Sequence, residues 1–273
     1  MPPIPYCGTP PIPGGASWNL DPALIIVLVL GALATLWLSR PPTQRHDPRP
    51  GPTSLRNGLA GPGPVLLGWI LLALTLVSPL CNLSVALFSA RVGQHMILTL
   101  LAAPLVALAF HRGTATQPMG LLGPTTGFAV ALWGWHLPAP YVATFASEAA
   151  YWTMQISLTG CAVWLWAALR ARTADRPDVA ALAALATAVQ MGLLGALLTI
   201  APRPLFLAVH TPGVTMPWGL SPLEDQQLGG LLMWVPGGLV FAAVCLAGMG
   251  RVLKTVAQAD SDAASGSRVQ APQ

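Results

Sequence analysis

The 273-residue chain is short of charge. Asp, Glu, Lys and Arg make up 8% of it, against roughly 25% in an ordinary globular domain. A water-facing surface cannot be covered with so few charges, so a soluble fold is excluded. Glycine loops for nucleotides, a nucleophile elbow and cysteine pairs at metal-binding spacing are also missing. Without a nucleophile–base pair or a cofactor motif, catalysis is not expected. No basic run is interleaved with aromatics, so the net charge of +4 is no argument for nucleic acid. Internal repeats are absent. The Pro-rich start, Met1 to Gly15, has no charged n-region and does not read as a cleavable signal peptide.

What the chain does have is apolar length. Apolar residues form 54% of it and the mean hydropathy is +0.62. Seven apolar stretches approach the ~20 residues needed to cross a hydrocarbon core: about 22–38, 59–80, 84–110, 119–137, 149–169, 179–200 and 223–249. They are too long for barrel strands, and a lipid-embedded backbone must satisfy its own hydrogen bonds. The expectation is an all-α membrane protein, a seven-transmembrane-helix bundle in a lipid bilayer. Residues 1–21 read as a Pro-rich outer segment, 22–250 as the membrane domain and 251–273 as a disordered cytoplasmic tail. The loop from Pro41 to Asn57 reads as irregular. If the helices alternate, Arg40, Arg45, Arg49, Arg56, Arg112, Arg170, Arg172, Arg176, Arg251, Lys254 and Arg268 fall on one side. Arg203 alone falls on the other, and Arg91 lies within a span. Lys and Arg favour the cytoplasmic side, so the N-terminus is expected outside and the C-terminus inside. Cys7 and Cys81 then share the outer side, where they are either disulfide-bonded or both free.

In so apolar a chain, polar groups within or beside spans point to function. Arg91 and His95 stand one helical turn apart and share a face. Gln94 adjoins them. His136 closes the fourth span, Gln155 lies two turns into the fifth, and His210 falls in the loop before the seventh. Glu224, Asp225 and Gln226 open the seventh. Imidazole and carboxylate suit a transition metal, and Met96 or Met233 would add soft thioether ligands for cuprous copper. A metal-free reading is equally open: an Arg91–Asp225 pair would pin the third helix to the seventh, His95 would bond between helices, His136 would cap a helix end, His210 would be a plain loop residue, and the methionines would be core. Ser221-Pro222-Leu223-Glu224 fits a capping box, so Glu224 reads as a cap. Asp225 is the better functional candidate.

Three blocks resemble the CtaG family of seven-helix cytochrome c oxidase assembly proteins. They are Gln94-His95-Met96-Ile97-Leu98 with Ala103-Pro104-Leu105; Trp135-His136-Leu137-Pro138 with Tyr141; and Leu220 through Gly230 continuing to Met233-Trp234-Val235-Pro236-Gly237-Gly238. The resemblance implies an assembly factor of the bacterial inner membrane that assists the oxidase copper centre from the outer face. Its partners would be a haem–copper oxidase subunit or a copper chaperone. It carries over the positions His95, His136, Asp225, Gln226 and Met233, with His95, His136, Asp225 and Met233 as copper ligands; Arg91, Gln94, Glu224, Gln226 and Gln155 form a polar network on the reading of the residues themselves. The chain departs from the family pattern at Arg91, where a histidine is common, and near Tyr151 and Gln155, where histidines are usual. The alternatives are a copper or small-solute transporter and a metal-free scaffold that binds an oxidase subunit.

Overall fold

A computed structural model describes residues 5–39, 62–110 and 120–269, with side chains to Ser261 except that of residue 174. Every regular element among them is helical. The Arg-rich loop expected at 41–57, together with His111 and Arg112, lies outside the described residues.

The helices are α1 (Pro22–Leu38), α2 (Pro62–Val77), α3 (Pro79–Ala86), α4 (Phe88–Ala109), α5 (Leu122–Trp135), α6 (Pro138–Ala146), α7 (Glu148–Asp175), α8 (Pro177–Ile200) and α9 (Pro222–Val269). Each expected span overlaps one of them. Three, α4, α8 and α9 as far as Ser261, are long and apolar enough to cross a membrane. They become four if α2 and α3, bent by 50° at Ser78, count as one broken span. At 14 residues, α5 is only ~21 Å long at 1.5 Å per residue. The third span was expected to begin at Ser84. Instead Leu87 is extended and interrupts the helix there, so α4 starts at Phe88.

Proline sets most of the starts. Pro22, Pro79, Pro138 and Pro177 each stand in a first helical turn, where a missing N–H costs nothing and φ is already helical. Asp21 caps α1 by accepting from the Ala23 amide at 2.9 Å. The Tyr6 hydroxyl first, and then that amide, hold the Asp21 carboxyl below its usual range.

Two departures from regular helix matter. In α4 the backbone widens into a π-helix over Ile97–Ala102, and the Ala103 amide donates to the Leu98 carbonyl, five residues back. Pro104 follows at once. It has no N–H to give and its ring crowds the preceding turn, so the wider turn re-satisfies the backbone. The Trp166 indole N–H donates to the Thr99 carbonyl there at 2.8 Å. In α9 the helix passes through Pro236 and runs on to Val269, through most of the segment expected to be disordered. Ala, Gln and Lys in that stretch favour helix, and it continues a helix already formed, which needs no new nucleus.

The bundle core is apolar and holds Val85, Phe88, Met96, Tyr141, Tyr151, Met154, Met191 and Met233 among others. α8 and α9 cross closely because glycine faces glycine. A Cβ on Gly230 would lie 2.7 Å from the Gly195 carbonyl oxygen and 2.8 Å from the Thr199 nitrogen, both backbone atoms that cannot swing away. Small residues that let backbones approach are a common device for helix association in lipid.

Residues 5–20 fold back over one end of the bundle. A disulfide joins Cys7 to Cys81. The Asn82 amide donates to the Cys7 and Thr9 carbonyls at 2.8 and 2.9 Å. Tyr6 stacks on Tyr151 with ring centres 5.0 Å apart, and the Trp218 indole donates to the Pro11 carbonyl at 3.1 Å.

Candidate functional site

Except for the exposed Glu224, the polar residues singled out in the sequence are buried, and α4 carries the centre of the group. Arg91, Gln94 and His95 are each 3% exposed or less. One face of α4 presents Arg91 and His95; the end of α5 presents His136. The two imidazoles meet edge to face with ring centres 6.4 Å apart. The Nδ1–H of His136 donates to the Leu132 carbonyl at 2.7 Å. That bond caps an orphan carbonyl of α5 and leaves Nε2 as the ring's lone-pair nitrogen. Neither ring nitrogen of His95 has a hydrogen-bond partner.

Among the described residues Arg91 has no carboxylate partner. Its Nη1 donates to the Thr144 hydroxyl at 2.6 Å, and its guanidinium packs over the rings of Phe145, Tyr141 and Tyr151 at 4.1, 5.2 and 6.0 Å from their centres. Its Nε has no partner. Among the described residues the only ion pair is Arg176–Asp178.

The expected Arg91–Asp225 pair is therefore not formed, because the Asp225 carboxylate is engaged elsewhere. It accepts from the amides of Phe88 and Ser89 at 2.7 and 3.0 Å and from the Ser89 hydroxyl at 2.5 Å. These are the free donors at the start of α4, whose own N-cap residue, Leu87, supplies no side-chain bond. Asp225 thus caps α4 from another helix. It pins α4 to α9, as a salt bridge would have done, but through backbone amides. It is not grouped with His95 and His136 among the described residues. Met96 and Met233 are buried in the apolar core. No group of three or more His, Cys, Asp or Glu that could hold a metal ion occurs among the described residues.

The remaining polar residues brace the bundle. The Ser221 amide donates to Glu224 at 2.8 Å, and the Glu224 amide donates back to the Ser221 hydroxyl at 3.3 Å. That is the reciprocal pair the S-x-x-E spacing predicts. Gln226 donates to the Leu198 carbonyl at 3.1 Å and accepts from the Leu205 amide at 2.5 Å, tying α9 to the end of α8. Gln94 donates to the Thr75 carbonyl at 3.1 Å, and Gln155 donates to the Tyr151 hydroxyl at 3.0 Å. The side-chain oxygens of both glutamines are buried and unpartnered.

Some participants were not visible beforehand. His210 was read as a plain loop residue, yet it is 2% exposed. Its Nδ1 contacts the Ala86 carbonyl at 3.1 Å, so it carries the proton, and its Nε2 accepts from the Tyr141 hydroxyl at 2.8 Å. Burial first, and the nearby Arg91 charge, push its pKa down to about 3, against the opposing pull of the Ala86 carbonyl. Ser89 and Thr144 carried no sequence signal beyond being hydroxyl residues near polar ones.

Fold and site together define an all-helical protein with several membrane-length apolar helices and a buried polar cluster in the bundle. The sequence model of the cytochrome c oxidase caa3 assembly factor (Caa3_CtaG) family matches residues 65–120 and 121–255. The chain belongs to that family. Comparison with curated proteins and with solved structures gave no match.

Proposed function

We propose that this protein is a multi-pass protein of the bacterial inner membrane that assists maturation of the copper centre of a haem–copper oxidase. It would have its N-terminus and its working face outside, and no catalysis of its own. Membership of the assembly-factor family supports the oxidase. The observation that carries the copper reading is the pair of buried imidazoles from α4 and α5, 6.4 Å apart between ring centres. His95 has both nitrogens unengaged, and His136 is held with its Nε2 lone pair available. A pair of neutral imidazoles with a thioether in reserve is a donor set for cuprous copper in transit. The one-sided distribution of Lys and Arg supports the orientation.

The test is the copper-to-haem ratio of the oxidase purified from a strain lacking this gene, beside one with the gene restored. Low copper with haem retained is expected, and His95→Ala or His136→Ala should reproduce it. A normal ratio with a normal amount of oxidase would overturn the copper role.

One observation favours a second reading, a metal-free scaffold for an oxidase subunit. The Arg91 guanidinium lies one turn from His95 on the same face, where its charge opposes any cation. Copper stoichiometry of the purified protein separates the two.

A further inference from the structure

A buried charge in a helix bundle is normally paired, because stripping an ion of water costs several kcal/mol and only a counter-charge or a full set of hydrogen bonds offsets it. Arg91 has neither. It is 1% exposed, its Nη1 bonds to one neutral hydroxyl, and its Nε is buried and unpartnered. The carboxylate that would be its natural partner, Asp225, caps α4 instead. Aromatic faces recover part of the cost, but they give the Nε–H nothing to bond.

The neighbouring groups are unfinished too. Both nitrogens of His95 and the side-chain oxygens of Gln94 and Gln155 are buried without partners. Native proteins leave few such groups, and several together mark something missing. Gln94 and His95 flank Arg91 on α4. The Gln155 amide reaches the Tyr151 hydroxyl, and the ring of Tyr151 faces the guanidinium.

We infer that Arg91 binds a compact monoanion, a halide or a small carboxylate, through its free Nε–H beside His95. A neutral imidazole brings one further N–H to such an ion. The glutamine oxygens and the other His95 nitrogen accept hydrogens from the water that accompanies it. A small ion is required because the cluster is tightly enclosed. Gln155 also lines a cavity of about 180 Å³ beside Leu24, Trp69 and Trp152. This site shares His95 with the copper reading, but it needs neither copper nor an oxidase.

The test is thermal unfolding of the purified full-length protein in detergent, exchanged into gluconate buffer and titrated with chloride or with formate at constant ionic strength. The expected result is a saturable rise in Tm with either ion, as for any ligand that binds only the folded state. Arg91→Met should lose the rise and be at least as stable as the native protein in gluconate, since it removes an unpaired charge and keeps the length of the side chain. A role confined to packing against Tyr141 and Phe145 would make Arg91→Met less stable in every buffer. Bromide in place of chloride locates the ion crystallographically in the native protein, whatever the variant does. A Tm indifferent to chloride and formate, or bound bromide with none at Arg91, would overturn the inference. Neither outcome bears on the copper-to-haem ratio.

Discussion

Asp225→Asn and Glu224→Gln are adjacent charge removals that should behave very differently. The Asp225 carboxylate accepts three bonds from two residues at the start of α4. Asparagine keeps one acceptor oxygen and turns an NH2 group toward either the Phe88 amide or the Ser89 donors. Donor then faces donor in a fully buried place, and the surviving bonds lose their charge assistance. A hydrogen bond to a charged group contributes ~1.5–3 kcal/mol, and an unsatisfied buried donor costs ~1–3 kcal/mol. A loss of about 3 kcal/mol is therefore expected, enough to shift the folded fraction by about two orders of magnitude. The assay is thermal unfolding in detergent with the folded fraction read by size exclusion, alongside recovery of oxidase activity in a complemented deletion strain. Asp225→Asn should unfold early and fail to complement. Glu224→Gln should match the native protein, because glutamine can still accept from the exposed Ser221 amide. Equal losses from both would refute the trans-cap, and so would a fully stable Asp225→Asn.

Three further outcomes are expected. Gly230→Ala should cost about 3 kcal/mol, the upper range for overpacking, because the new methyl meets backbone of α8 at 2.7 and 2.8 Å; an unchanged Tm would mean that the helices separate freely. Removing the disulfide by Cys7→Ser with Cys81→Ser should cost about 3 kcal/mol. A flexible loop with the separation of 74 would give ~4.5 kcal/mol, and residual structure in an unfolded chain lowers that figure; reductant should lower Tm in the native protein and leave the double variant unmoved. Acid should destabilise the fold through His210, whose folded pKa is about 3 against ~6.5 unfolded. The unfolded state takes up the proton first, so stability present above ~6.5 falls away as pH drops, by about 2 kcal/mol at pH 5. His210→Gln should flatten the Tm-against-pH slope between 6.5 and 5, and an unaltered slope would place the acid sensitivity elsewhere.

The legible parts of this protein were those governed by composition and local pattern. Apolar runs located every long helix and S-x-x-E located the cap of Glu224, because each depends on near neighbours in the chain. What stayed hidden depends on which helix faces which. Charge alone suggested Arg91 as the partner of Asp225. The choice was in fact decided by Leu87, an extended residue with no capping side chain, which leaves two amides at the start of α4 for Asp225 to take. The histidine in the connection before α9 looked dispensable until the fold placed the Tyr141 hydroxyl and the Ala86 carbonyl on either side of its ring. Helix continuation past Met249 was missed because polar, Ala-rich sequence reads as disorder when it is considered apart from the helix that precedes it.

The Cys7–Cys81 bond also fixes a parity. One sulfur precedes α1 and the other follows α2, and a covalent bond cannot thread a bilayer, so the two cysteines share a face. The chain between them must cross the membrane an even number of times. If α2 spans, α1 spans with it, although its 17 residues fall just short by length alone. If that shared face is the outer, oxidising one, the bond closes after both helices have been inserted, and an oxidised Cys7–Cys81 pair in a newly made chain would report that the first hairpin is in place.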